Sequence, residues 1–415
     1  MSLAVFSAIA LPPPFLLLFE LIATSVIIGL TPSNSWARQA ILPVLLSCTY
    51  LIVQSSSQYM RPRWASLLGG FSFTLVLQYI DLALLSHWNY EDRGPPIQNT
   101  FRPEAAGTPS LQPLWERFAF GWNAMWSFRH VNSPHEVKNV PPFSTNDPNY
   151  VPSKRRFVLQ QSAAALGCYI MLDLLGARKP PANSAEIFNP DLIPMISRIG
   201  EVSAAELKLR ALTIAGFGLT FYCVIQGFQS LAAGFAVGSG LSDAANWRPA
   251  FGSLSESYSL KNFWGKVWHQ LLRRPLTSVS SSLVHGLLCI PQKSLLGGTL
   301  TLILSFALSG ALHTAAGVAS GMSLAELGVF RFFCTQALGV IIEQAAIAAV
   351  SRSRGKELRG AKPPIPMKML GYAWVAVFMA WSGPAWIYPQ AARAPAKGAT
   401  SFLPFSILGL FNSHR

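Results

Sequence analysis

Charged side chains are scarce in this sequence: Asp, Glu, Lys and Arg together make up 12% of its 415 residues. A soluble domain carries about 25%, so most of the surface of this chain does not meet water. Cysteine is sparse and scattered. Cys48, Cys168, Cys223, Cys289 and Cys334 stand singly in or beside apolar stretches. No CxxC and no Cys/His spacing is there to bind zinc or to build a disulfide framework, and no metal-ligand set is expected. The five read as small buried hydrophobes. Several catalytic signatures are missing as well. There is no G-x-S-x-G elbow, no G-x-x-x-x-G-K-[ST] loop, no strand-borne G-x-G-x-x-G and no His-x-x-x-Asp, which excludes the soluble chemistries built on them. The N-terminus lacks the basic region of a cleaved signal, so its first apolar run is expected to stay as a helix.

Apolar residues, at 51%, fill the place of the missing charge. They recur in runs at 14–30, 39–53, 65–85, 157–177, 211–237, 297–318, 329–350 and 370–387. Most approach the twenty or so residues that a bilayer core demands, and 39–53 is the shortest. The pattern predicts an all-α, polytopic membrane protein of about eight transmembrane helices, forming one membrane-embedded body over 1–415. The Gly-rich run 211–237 is long enough to require a strong tilt or a break. Residues 402–411 are too few to cross and are expected at the interface. No internal repeat is visible.

The formal net charge of +14 is the usual footprint of a nucleic-acid binder. Here, however, Lys and Arg sit in loops between apolar runs, as membrane proteins place them. Membrane lipids or an anionic cosubstrate fit better, and nucleic acid is excluded as the partner. Three connecting segments, 87–156, 241–294 and 351–368, carry much of this charge. The last holds Arg352, Arg354, Lys356, Arg359, Lys362 and Lys368. Eight alternating spans put all three on one side, which the positive-inside rule makes cytosolic. On this reading 87–156 is a polar cytosolic loop and 241–296 a segment of interfacial helices. The basic stretch 177–210, with Arg178, Lys179, Arg198, Lys208 and Arg210, falls on the opposite side and runs against the rule.

Two of the 7 histidines stand out. His313 lies inside the apolar run 297–318, with Ser305, Ser309, Gly310, Ala316 and Gly317 on its helical face. An ionisable group within a span is costly and marks a functional site by default. The same small residues also suit a histidine that merely bonds to a neighbouring helix. His269 lies in Leu260-Lys-Asn-Phe-Trp-Gly-Lys-Val-Trp-His-Gln-Leu-Leu-Arg-Arg274. Read as a helix, this segment gathers Leu260, Trp264, Val267, Trp268 and Leu271 into an apolar stripe facing lipid. Gly265, Lys266, His269 and Arg273 then form a cationic face able to meet the phosphates of a nucleotide cosubstrate. A plain membrane-surface helix has the same pattern. Glu20, Asp81, Asp173 and Glu343 lie in or near spans, where they either pair with a neighbour or touch an active chamber. The stretch Arg117-Phe-Ala-Phe-Gly-Trp-Asn123, with Val137-Lys-Asn-Val-Pro-Pro142, is expected to be an ordered interfacial loop.

Phe263-Trp-Gly-Lys-Val-Trp-His-Gln270 resembles the wax synthase-like branch of the membrane-bound O-acyltransferase superfamily. The resemblance extends to Trp247-Arg-Pro-Ala-Phe-Gly252 and to Leu308-Ser-Gly-Ala-Leu-His313. Gly121-Trp-Asn123 and Val137–Pro141 look like an element common among fungal members of that branch, which acetylate hydroxyl groups of terpenoid or polyketide natural products. Two departures stand out: Ala124 to Glu136 are extra residues inside that element, and Lys266-Val267 replaces a usual Arg pair. The resemblance implies no bound cofactor, acetyl-CoA as cosubstrate and a lipophilic hydroxylated acceptor. It makes His313 the catalytic histidine and His269 the second active-site residue. Lys266, Arg273, Trp264, Trp268 and Asn262 are expected near the acyl-CoA. A neutral imidazole in a low-dielectric chamber can accept the acceptor's proton near neutral pH, and His269 or Asn262 can steady the oxyanion that follows. The expected location is the endoplasmic reticulum membrane. Long-chain wax-ester or sterol-ester synthesis is the alternative within the class. A metabolite transporter using His313 and Asp81 as a proton relay is the alternative outside it, although such proteins often show repeats.

Overall fold

A computed structural model describes residues 11–96, 113–177, 181–353, 363–393 and 402–408. Arg354, Lys356, Arg359 and Lys362 of the basic loop, Arg178, Lys179, the middle of 87–156 and the end of 402–411 lie outside the described residues. Among the described residues the chain is helical without strands, apart from one isolated bridge between Asn89 and Gly94. Its longer helices are α1 Pro13–Leu30, α2 Leu42–Tyr59, α3 Pro62–Tyr79, α4 Leu114–Trp126, α5 Lys154–Ala177, α6 Ala204–Gly238, α7 Arg273–Ser281, α8 Leu295–Ala319, α9 Val329–Ser353, α10 Ile365–Ser382 and α11 Pro384–Arg393. Seven helices among the described residues are long and apolar enough to cross a membrane. The protein is an all-α, multi-pass membrane protein.

Local chemistry explains where these helices begin. Proline occupies the first turn of α1, α2, α3 and α10, where its missing N–H costs nothing and its fixed φ suits a helix. Ser203 caps α6 by accepting from the Glu206 backbone N–H at 3.1 Å, and Ser294 caps α8 through the Gly297 N–H at 2.9 Å. The Gly-rich α6 is unbroken over 35 residues, about 50 Å at 1.5 Å per residue. The break considered for it is therefore absent, because its backbone bonds close despite the glycines. The eighth apolar run, 370–387, instead spans two helices, α10 and α11, that meet at Gly383. Outward side chains such as Phe15, Leu212, Phe235 and Leu338 are exposed and apolar, as contact with lipid tails requires.

The described residues cluster into two compact units, one from 1–128 with 272–325 and one from 129–271 with 326–415. In the first, α1 packs on α4, α2 on α3, and α8 on α3 and α7. The 117–123 stretch is thus part of helix α4, not a loop. Phe120 and Trp122 pack against the core of the unit, the exposed Trp126 stacks on Phe71 at 5.4 Å, and Gly121 permits backbone contact. A Cβ on Gly121 would lie 2.0 Å from the Ser25 carbonyl oxygen, and one on Gly29 would lie 2.0 Å from that of Arg117. Small residues also join α3 to α8, where Gly69 and Gly70 face Ala319 and Ala316.

Buried charge in this unit is fully engaged. Glu20 accepts from Thr49 at 2.9 Å and from Ser72 at 2.8 Å, tying α1, α2 and α3 together. Asp81 sits in a π-helical turn, Ile80–Leu85, paired with Arg274 at 2.6 Å and accepting from Ser278 at 2.5 Å. In the second unit α5 packs along α6, and α11 contacts both α6 and α9. Arg198 and Arg210, which ran against the charge rule, both pair with Glu206, at 3.3 and 2.8 Å. Gly121→Ala is expected to destabilise the detergent-solubilised protein by about 1–3 kcal/mol, the usual cost of overpacking. Gly167→Ala, with nothing within 4 Å of the new methyl, should leave the melting temperature unchanged or slightly raised; equal losses in both variants would refute the close α1–α4 contact.

Candidate active site

The segment carrying His269 is not one helix. Leu260–Asn262 forms a helical turn capped by Ser259, which accepts from the Asn262 N–H at 3.0 Å. A π-helical turn over Phe263–Val267 follows, closed by the Trp268 N–H donating to the Phe263 carbonyl at 2.7 Å. At Trp268 the backbone turns extended. The Gln270 amide then donates to the carbonyls of Trp264 and Trp268, at 3.2 and 2.6 Å. A continuing helix would have used those oxygens itself. Helix α7 starts afresh at Arg273 with Pro275 in its first turn, the place in a helix where proline is tolerated.

This break dissolves both expected faces. Trp264 turns inward, its ring 5.9 Å from Phe333 and its N–H donating to Gln336 at 3.3 Å. Trp268 packs between Phe251 and Phe263, at 5.5 and 5.8 Å. The two tryptophans therefore line the interior of the second unit and do not form a lipid-facing stripe. Lys266 pairs with Glu256 at 3.1 Å on the surface of the same unit, whereas Arg273 heads α7 in the first unit. The helix on which a single cationic face was expected is thus interrupted between these two residues. Asn262 is half-buried in its capped turn.

Glu343, from within α9, anchors the start of the segment. Its carboxylate accepts from the backbone N–H groups of Leu260 and Lys261, at 2.6 and 3.2 Å, and from the Trp374 indole at 3.0 Å. Glu343 therefore pairs with donors of the peptide backbone and not with a cation.

Three motifs that are distant in sequence form one knot around His269. The Gly252 N–H donates to the Val267 carbonyl at 2.9 Å, and a Cβ on Gly252 would meet the Lys266 carbonyl at 2.2 Å; only glycine fits there. Asn139, at φ +66°, donates to the Gly265 carbonyl at 2.8 Å. Arg248 donates to the Pro141 carbonyl at 3.2 Å. Arg129 then binds the two carbonyls next to that motif, Pro249 and Arg248, at 2.5 Å each.

His269 stands inside this knot, its ring 6.0 Å from Phe251 and 5.6 Å from Trp268. Burial, and then the positive charge of Arg129, hold its pKa down at about 4, so the imidazole is neutral at physiological pH. Its Nδ1 is buried with no hydrogen-bond partner among the described residues. A buried polar atom without a partner costs about 1–3 kcal/mol. Such unpartnered groups are few in folded proteins.

His313 is half-buried in the middle of α8, in the first unit, above the buried Ser309 and Gly310 and below the buried Ala316 and Gly317. Helix α7, headed by Arg273, packs along α8. Among the described residues no group of three or more His, Cys, Asp or Glu side chains is arranged to hold a metal ion.

The membrane bound O-acyl transferase family matches residues 247–335, a stretch that holds both histidines. Similarity to curated proteins runs much further. An acetyltransferase of Humicola fuscoatra is 30% identical over 91% of this chain and 96% of its own length. One of Calcarisporium arbuscula is 31% identical, covering 88% and 89%. A third, from Aspergillus fumigatus, is 27% identical over 94% and 89%. The chain belongs to the membrane bound O-acyl transferase family.

It is an acyl-transferring enzyme, and the transporter reading falls away. What the acyltransferase sequence concealed was Arg129. It lies in 124–136, residues that read as an insertion with no assigned task, and its only signal was an arginine beside His130 in an otherwise polar loop. Glu343 was visible as an intramembrane acid, but its capping role needs the fold. Glu343→Ala would leave two N–H groups and an indole unpaired. We expect a loss of about 1.5–3 kcal/mol, the range for a hydrogen bond to a charged group, together with a fall in turnover. Thermal melting and acyl transfer on the same preparation check it: full stability in the alanine variant would remove the anchoring role.

Proposed function

We propose that this acyltransferase moves an acetyl group from acetyl-CoA to a hydroxyl of a lipophilic secondary metabolite, a terpenoid, meroterpenoid or polyketide, in the endoplasmic reticulum membrane. The observation that carries this reading is similarity, over nearly their whole length, to proteins named acetyltransferases. In the proposed reaction His313 takes the proton of the acceptor hydroxyl. The oxygen attacks the thioester carbonyl, and the tetrahedral oxyanion collapses with breakage of the C–S bond. The CoA thiolate leaves and takes up the proton that His313 had received. His269, neutral by virtue of its surroundings, and Asn262 serve as hydrogen-bond donors to the oxyanion. Lys266 and Arg273 are assigned to the phosphates of the donor, with Trp264 and Trp268 shaping the wall beside it.

Competition between acetyl-CoA and palmitoyl-CoA in isolated membranes tests the donor. Preference for the long chain would favour wax-ester or sterol-ester synthesis. His313→Ala should abolish turnover, a loss of about 10²–10⁴-fold for a general base, at unchanged expression and melting temperature. A merely packing histidine would instead cost stability, of the order of 1 kcal/mol, with activity per folded molecule retained.

Orientation has its own test. Loops 87–156, 241–294 and 351–368 should share the cytosolic face. Single-cysteine labelling from either side of the membrane reads this directly, and loops split across the bilayer would overturn the topology.

A further inference from the structure

We propose that Arg129 is a positioning residue of the acyl-transfer site, clamping the 247–252 segment against His269 and holding a positive charge beside its imidazole. The inference rests on His269 being an active-site residue. Arg129 is 6% exposed, although it lies in a loop without regular structure. Its two terminal nitrogens each donate to a carbonyl, those of Pro249 and Arg248, at 2.5 Å. A planar guanidinium fork is suited to such a double contact, and lysine cannot reproduce it. The clamped segment reaches His269 by two routes: the Phe251 ring lies 6.0 Å from the imidazole, and the Gly252 N–H holds the carbonyl of Val267, the last residue of the turn two positions before His269.

The clamp also carries charge. No carboxylate within ion-pair distance of Arg129 is present among the described residues. Burial pulls its guanidinium down to about 10, with Glu136 opposing the shift and Arg248 adding to it, so Arg129 stays charged at neutral pH. Two other cations of this knot are engaged elsewhere. Arg248 is directed to the Pro141 carbonyl, and Lys266, on the turn preceding His269, is paired with Glu256. Arg129 is therefore the cation that acts on His269. A fixed positive charge beside a neutral imidazole opposes protonation of that ring. It also favours negative charge on a substrate oxygen that the ring binds.

The experiment compares acetyl transfer by wild type, Arg129→Gln, Arg129→Lys and His269→Gln in the full-length protein, across pH. Removing the cation lets the His269 pKa rise from about 4, while burial, the larger cause, continues to hold it down. The ratio of Arg129→Gln to wild-type kcat/KM should thus change as pH drops below neutrality, because the variant's ring takes up a proton at a higher pH than that of wild type. A limb due to His313 cancels, because both proteins carry that residue. Arg129→Lys keeps the charge and loses the fork: its ratio should be flat with pH but lowered, by about 10²-fold for a site displaced by an ångström. A pH-independent ratio for Arg129→Gln, or wild-type turnover in either arginine variant, overturns the proposal. If Arg129→Gln yields no folded protein, the lysine variant decides the clamp alone. Wild-type turnover in His269→Gln would instead sink the assignment of His269, a failure distinct from that of Arg129.

Discussion

A carboxylate placed inside an apolar helix must find donors, and the Glu343 carboxylate finds them in the backbone of the signature segment. Charge within a bilayer is costly unless it is paired or bonded, and bonds from N–H groups to a carboxylate are among the strong ones. Glu343 thereby fixes where the segment begins, at Leu260 and Lys261, and holds it to α9 and, through Trp374, to α10. Gln336, one further turn pair along α9, repeats the logic by bridging the Trp264 indole and the Ser382 hydroxyl. The aromatic wall under His269 is built on those two anchors. Glu20 and Asp81 follow the same rule in the other unit, where hydroxyls and Arg274 satisfy them.

Much of this was legible in the sequence because the bilayer imposes a length on every apolar run and proline marks where many helices start. The eight expected runs all correspond to helices, although 65–85 ends in a π-helical turn and 370–387 is divided between two helices. The two histidines and the three motifs were likewise visible as strings. The break after Val267 was not. Helical periodicity treats 260–274 as continuous, and nothing in that count registers a glutamine whose side chain takes two backbone carbonyls. Helix α4 was missed for a related reason: Gly121 looks like a loop residue until its carbonyl-close contact with α1 is known. Arg129 was out of reach because its partners lie more than a hundred positions downstream.

The π-helical turns show how such local irregularity is used. One places Asp81, and another carries Phe263–Val267 into the extended residue before His269. Insertion of a residue into a helical turn is unfavourable and survives where surrounding contacts fix it, often at functional sites. Here the fixing contacts come from Gly252, Asn139 and Gln270, so the geometry at His269 is set by loops packed on helices and not by a helix alone.

The two histidines are unlike in a way that bears on their chemistry. A general base works best when its pKa lies near the operating pH. With its pKa near 4, His269 is a weak proton acceptor, and a base of that strength would supply little driving force for removing a hydroxyl proton. Neutrality carries no such penalty for a hydrogen-bond donor, since a neutral imidazole still carries one N–H. A donor that stays neutral also leaves the positive charge of Arg129 as the local cation facing any developing oxyanion. In the proposed reaction the proton-accepting role is therefore left to His313, in the middle of a spanning helix among small residues.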